Sequence, residues 1–196
     1  MNNIYPIFDT LVSKTQKQEL LQQRGKVIWM VGLSGSGKST LARAVENTLH
    51  QQGKVTMLLD GDNLRTGVNN NLGFSESDRV ENIRRAAEVA KLFANCGLIT
   101  ICSLISPTER IREMAREIIG DDYFEVYIDC PLEVCEERDV KGLYAKARRG
   151  EIKDFTGISS PFDIPTSPDL SVPTYRQSLE ESHQLLVDKI LAVTSI

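Results

Sequence analysis

The sequence predicts an α/β fold: a doubly wound, mainly parallel sheet flanked by helices, with a lid segment late in the chain. Three observations carry that prediction. Short apolar runs alternate with helical patterns, as βαβ units do. The runs are apolar almost throughout, which suits strands covered on both faces. Between the first run and the first strong helix lies a glycine-rich loop of the form G-x-x-x-x-G-K-[ST].

Residues 1–24 read as a lead-in segment with a loosely amphipathic helix, its apolar positions Phe8, Leu11, Val12, Leu20 and Leu21 irregularly spaced. Residues 25–196 read as one domain. Strands are expected at 26–31, 54–59, 98–104 and 123–129. Helices are expected at 38–51, 77–95, 108–119, 131–138 and 175–192. Ser75-Glu-Ser-Asp78 offers an N-cap for the helix at 77–95, whose buried stripe is Val80, Ile83, Ala87, Ala90 and Ala94. From 139 to 168 the periodicity fades. Gly142, Gly150, Gly157, Pro161, Pro165 and Pro168 punctuate a basic stretch there. A connection of that length without its own structure is usually a working loop.

At 196 residues, 41% hydrophobic and 26% charged, the chain is long enough for a real core. A formal net charge of −4 argues against a general binder of nucleic acid or membrane surfaces. The apolar runs are far too short to cross a bilayer, and MNNIYPIFDT lacks a signal-peptide pattern. Cys96, Cys102, Cys130 and Cys135 form no CxxC and have no zinc-type histidine spacing. Reduced thiols in a cytoplasmic protein are expected.

Gly32, Leu33, Ser34, Gly35, Ser36, Gly37, Lys38, Ser39 and Thr40 make the phosphate loop. Its backbone N–H groups are expected to cradle the phosphates of ATP, aided by the positive end of the following helix. Lys38 is placed for the β/γ-phosphates and Ser39 for Mg²⁺. Ligands in open parallel sheets bind beyond the carboxyl ends of strands, and strands two and three end in Asp60-Gly-Asp62-Asn63 and Ile105-Ser106-Pro107. Asp60 is the metal-side candidate and Asp62 the base that orients an attacking hydroxyl. The same residues also read as an Asx turn capping a helix. Phe74, Arg79 and Asn82 read either as a purine and anion pocket or as a hydrophobic staple with a solvated charged face; Arg84 and Arg85 have no assignment. Arg138, Lys141, Lys146, Arg148, Arg149 and Lys153, with Phe155, read either as a solvated basic loop or as a lid that brings charge to the γ-phosphate. Arg138 and Arg148 are the candidates on its ATP side.

Taken together these segments resemble the adenylylsulfate kinase family, on a P-loop kinase fold. The resemblance runs through Gly32–Thr40, Asp60-GDNLR-Arg65, Gly73-FSESDRVENIRR-Arg85, Leu104–Pro107 and Asp139-VKGLYAKARRGEIKDFTGI-Ile158. It implies transfer of the ATP γ-phosphate to the 3′-hydroxyl of adenosine 5′-phosphosulfate, in sulfate assimilation. It implies that Asp62, Arg65, Phe74, Arg79, Asn82, Ile105, Ser106, Lys141, Gly142, Leu143 and Phe155 touch that acceptor, and it places Ser106 beside Lys38 and Asp62 among the catalytic residues. A homodimer is likewise implied by the resemblance. The chain departs from the family in lacking a His-rich stretch over 12–25, and it fits only partly over 169–178. No fused sulfurylase or GTPase is expected. Three other readings compete: a kinase of a different small acceptor, a P-loop switch or motor, and a binding module without catalysis, which the intact Lys38, Ser39, Asp60 and Asp62 disfavour. The switch is disfavoured because no [NT]-K-x-D occurs, and the motor because no strand ends in Asp-Glu.

Overall fold

The computed structural model describes residues 3–196. A 3₁₀ turn over Phe8–Thr10 leads into helix α1 (Lys14–Leu21), which Ser13 and Gln16 cap reciprocally. Of the expected apolar positions only Leu21 is partly covered, lying against Gly97. Neither element buries a residue, and Phe8, Leu11, Val12 and Leu20 are all exposed. Then follow β1 (Lys26–Val31), α2 (Lys38–Gln51), β2 (Thr56–Asp60), α3 (Gly61–Thr66), α4 (Glu76–Asn95) and β3 (Ile99–Ser103). The chain continues through α5 (Glu109–Ile119), β4 (Tyr123–Asp129), α6 (Leu132–Arg138), α7 (Leu143–Arg148), β5 (Leu170–Pro173) and α8 (Leu179–Thr194).

The five strands are all parallel, in the order β2-β3-β1-β4-β5. Strand β1 is the centre, and its side chains alternate between two helical layers as period two requires. Val27, Trp29 and Val31 face the alanine stripe of α4 and the apolar side of α5. Ile28 and Met30 face Leu41, Val45 and Leu49 of α2 and Leu186 and Ile190 of α8. Residues 27–31 are at most 1% exposed, so the loop leaving β1 springs from the stiffest part of the molecule. Each such side chain contributes roughly 1.5–3 kcal/mol by leaving water.

Helix α4 is capped by Ser75, whose Oγ accepts the Asp78 amide. Its buried stripe gains Ala86, whereas Val80 is only partly covered. The sequence offers α3 only as the capped helix of the Asx-turn reading and shows neither α7 nor β5, because all three are short. Helices α3 and α7 have six residues each, too few to display a 3.6 period, and β5 has four. Helix α8 starts four residues later than expected because Ser178 and Glu181 form a capping box there. The stretch 139–168 is therefore not structureless. Asp139 accepts the amides of Tyr144 and Ala145, both at 3.0 Å, and so starts α7. A small apolar cluster of Leu33, Cys130, Cys135 and Tyr144, with Phe155 packed on it, seats this segment against the domain.

Candidate active site

The carboxyl ends of β1, β2 and β3 open onto a cavity of ≈ 540 Å³. Its floor is the phosphate loop. Gly32 has no room for a side chain: a Cβ there would lie 2.8 Å from both the Ile128 carbonyl and Ser36 Oγ. Gly35 and Gly37 hold φ of +78° and +103°, conformations open to glycine but strained for other residues. Lys38 opens α2 with its side chain folded over the loop, donating to the carbonyls of Gly32 (2.8 Å) and Leu33 (2.7 Å). It is 7% exposed, and burial pulls its ammonium down from 10.5 to about 8, against weaker opposing pulls from Cys135 and Asp60.

The two oxygens of Asp60 have separate partners. Oδ1 accepts the Asp62 amide at 3.0 Å and caps α3, while Oδ2 accepts the Ser39 hydroxyl at 2.7 Å. Ser103 Oγ lies 3.1 Å from Ser39 Oγ, so three side-chain oxygens gather beside the phosphate loop. Asp62 is exposed at the mouth, and the lid residue Lys141 donates to its Oδ2.

The opposite wall comes from the start of α4 and the loop after β3. Phe74 does not act as a staple, because the position it would pack against is Arg79. Instead the Arg65 guanidinium lies over the Phe74 ring, 4.4 Å from its centroid, and donates to the Gly73 carbonyl at 2.7 Å. Arg79 ties α4 to the lid through Thr156 Oγ1 at 2.7 Å and the Asp154 carbonyl. Asn82 is buried and its Oδ1 accepts from Asn69 Nδ2 at 3.0 Å. The cavity thus brings together Ser34, Gly35, Gly37, Lys38, Ser39, Thr40, Asp60, Asp62, Arg65, Phe74, Arg79, Asn82, Ile105, Ser106, Lys141, Leu143 and Phe155.

The model for the adenylylsulphate kinase family matches residues 24–173, three quarters of the chain. The chain belongs to the adenylylsulphate kinase family. An adenylyl-sulfate kinase of Bacteroides fragilis is 62% identical over 97% of this chain and 95% of its own length. That of Clostridium acetobutylicum is 55% identical over 88% and 86%. The APS kinase of Mycobacterium tuberculosis, solved in complex with AMPPNP and APS, is 50% identical and superposes with a TM-score of 0.82 over 86% of this chain and 98% of that one.

The geometry of this chain places several expected residues elsewhere. Arg148, expected on the ATP side, lies off the cavity wall and pairs bidentately with Glu136 at 2.7 and 2.8 Å. Arg149 is likewise taken by Glu151. Two of the lid arginines are thus paired with acids away from the site, and among the described residues Lys141 is the lid cation that reaches the cavity. An Arg148→Ala variant should leave kcat and the KM for ATP within about twofold of wild type, as exposed pairs contribute little; steady-state kinetics checks this. Arg138 sits behind the loop, donating to the carbonyls of Thr174 (2.9 Å) and Gly35 (3.4 Å). Gly32, Leu33, Ser36 and Gly142 shape the loops without lining the cavity. Arg84 and Arg85 both bond Glu81 and point away from the site.

Ser106 departs most from its expected role. It is 1% exposed, its backbone is left-handed at φ +46°, and its Oγ accepts the buried Trp29 indole N–H at 3.0 Å. That is the geometry of an anchored loop residue, not of a presented nucleophile.

Sequence reasoning missed Tyr144, whose hydroxyl donates to the Ser34 carbonyl at 2.9 Å and whose ring meets Phe155 edge-on at 5.0 Å. It fastens the lid helix to the phosphate loop. An aromatic residue directly after Gly142-Leu143 in a polar stretch was the available signal. Ser103, the last residue of β3, and Asn69, behind Asn82, gave none.

Proposed function

We infer that this chain is an ATP-dependent kinase that phosphorylates the 3′-hydroxyl of adenosine 5′-phosphosulfate, giving ADP and 3′-phosphoadenylylsulfate, within sulfate assimilation. The observation that carries this reading is the convergence on one cavity of the Lys38 phosphate loop, the Asp60–Asp62 pair and the Phe74–Arg79–Asn82 wall, in a chain 62% identical to an adenylyl-sulfate kinase.

The chemistry follows from placement. The loop amides and Lys38 bind the triphosphate and meet the charge that builds on the transferring group. Asp62 faces the acceptor side and takes the proton of the ribose hydroxyl as it attacks in line. The oxygens of Ser39 and Asp60 suit a hard cation that takes its remaining ligands from phosphate and water, so Mg²⁺ is the fitting metal. Held by Ser39 and Asp60, Mg²⁺ would supply positive charge against the phosphates. Phe74 offers a flat face for the adenine, and Arg65 and Arg79 offer cationic groups for the phosphosulfate. Ile105, Ser106, Lys141, Leu143 and Phe155 complete the acceptor wall, and Gly142 turns the chain between Lys141 and Leu143. Ser106 acts there by holding the loop, and no covalent phosphoserine step is needed.

A homodimer is the assembly we favour. Ile4, Tyr5, Ile7 and Phe8 are each at least 60% exposed, apolar surface that a second copy would cover; light scattering on the purified protein tests it. Four free cysteines, three of them buried, suit a reducing cytoplasm. Among the described residues no helix is long and apolar enough to cross a membrane.

The test is turnover with purified protein, ATP and Mg²⁺ across a panel of acceptors, read by coupled ADP release. Adenylylsulfate should be preferred over nucleoside monophosphates and sugar acids by orders of magnitude; no turnover with it above background overturns the reading.

Lys38 also gives a pH prediction. A triphosphate favours the charged lysine, so binding raises a pKa that is about 8 in the free protein. ATP affinity should then be flat below that value and fall above it by up to about tenfold per pH unit. Calorimetry at pH 9 in buffers of different ionisation enthalpy should show proton uptake approaching about one per ATP, and little at pH 7. Equal uptake at both would overturn it.

A further inference from the structure

Behind the acceptor wall lies a buried ion pair that none of the chemistry above uses. Arg112 on α5 is 4% exposed and Glu125 on β4 is 5% exposed. Their Nε and Oε1 are 3.7 Å apart. Glu125 is held from two further sides, by the Tyr123 hydroxyl at 2.9 Å and by Arg116 at 3.6 Å. Neither Arg112 nor Glu125 lines the cavity. Such a pair is weak evidence of a stabilising role, because taking both charges out of water costs about as much as their attraction returns. Its other contact is more telling. Arg112 Nη1 donates to the Ser106 carbonyl at 3.2 Å, while Trp29 donates to the Ser106 hydroxyl at 3.0 Å. Ser106 thus has a buried donor on its main chain and another on its side chain. It is also held in a left-handed backbone that a serine leaves readily when unrestrained.

We propose that Arg112 is a positioning residue for the acceptor: braced by Glu125, it works with Trp29 to lock the Ile105–Ser106 turn in the shape that receives adenylylsulfate. The inference rests on the reading of the cavity as an adenylylsulfate kinase site. Glu125 aims the guanidinium and keeps its charge compensated. The guanidinium fork fixes the Ser106 carbonyl, and the indole fixes the hydroxyl. Freed of Arg112, the turn relaxes towards ordinary backbone angles and the acceptor wall moves, whereas the phosphate loop, anchored on β1, does not.

The deciding variant is Arg112→Met/Glu125→Gln. It removes both charges together, so no unpaired ion is buried, and it leaves Tyr123 an acceptor. Its melting temperature should stay close to wild type. Its KM for adenylylsulfate should rise about tenfold or more, matching the loss of one charge-assisted hydrogen bond, while the KM for ATP stays within about twofold. Amide exchange at residues 104–108 of the free enzyme should speed up by a similar factor, with α2 unchanged. That readout needs no substrate, so it tests the brace even if the wild type proved inactive with adenylylsulfate. Arg112→Lys, which keeps the charge opposite Glu125 but loses the planar fork, is the second variant should the first fail to fold; it should raise the same KM about threefold or more. An unchanged KM for adenylylsulfate in either folded variant overturns the proposal. So does an equal rise in both KM values, or exchange at 104–108 like that of wild type.

Discussion

Replacing Lys38 with alanine should lower kcat by about 10²–10³-fold in a protein that still folds. The magnitude is that of removing one preorganised donor from a developing anion in a dry site. The geometry supports the upper end. Lys38 is 7% exposed, so its charge acts through protein more than through water. Folding tolerates the change because the lysine's own contacts are hydrogen bonds to two loop carbonyls, those of Gly32 and Leu33, beside a cavity where water can replace it. The desolvation that depresses its pKa is also relieved. Melting temperature should therefore hold or rise, and single-turnover phosphoryl transfer should collapse. Near-normal turnover would remove Lys38 from the chemistry.

Asp62→Asn carries the second large effect, a fall in kcat of about 10²-fold or more, the usual scale for losing a positioned general base. ATP affinity should stay within about twofold, because Asp62 sits at the exposed mouth and makes no contact with the phosphate loop; its partner is Lys141. The amide keeps the size and the α3 position of the carboxylate but cannot accept the ribose proton. Measuring kcat alongside the equilibrium Kd for ATP separates this role from the neighbour's. Asp60→Asn disturbs Ser39 and should weaken Mg²⁺-ATP binding as well. Equal losses in kcat and ATP affinity for Asp62→Asn would assign it to metal binding or folding instead.

Much of this architecture was legible in the residues, because its longest elements announce themselves. The run at 26–31 and the alanine stripe of α4 carry their periods openly, and the phosphate loop is a motif with few alternative uses. Position along the chain then located the site: residues just beyond strand ends converge on one cavity, as a parallel sheet requires. What stayed hidden depends on partners distant in sequence. Arg148 looked free for ATP because nothing in a one-dimensional reading says that Glu136, twelve residues earlier, sits beside it. Ser106 stood among the catalytic residues only by resemblance, because its partner Trp29, 77 residues away, is invisible in the sequence. Helices α3 and α7 are too short for periodicity and exist through caps, a local signal easily read as a turn. Charge is visible in a sequence, but its pairing with a distant acid, as at Arg148, is not.

The contact between Lys141 and Asp62 links the lid's posture to the readiness of the base. Both side chains are more than half exposed, so the bond between them is weak and salt-sensitive. An arriving acceptor has only to coax the ammonium a short way aside, towards its own anionic tail, to unmask the carboxylate. Water offers no such negative group to draw the lysine off. With Asp62 as the base proposed above, this latch should slow idle hydrolysis of ATP.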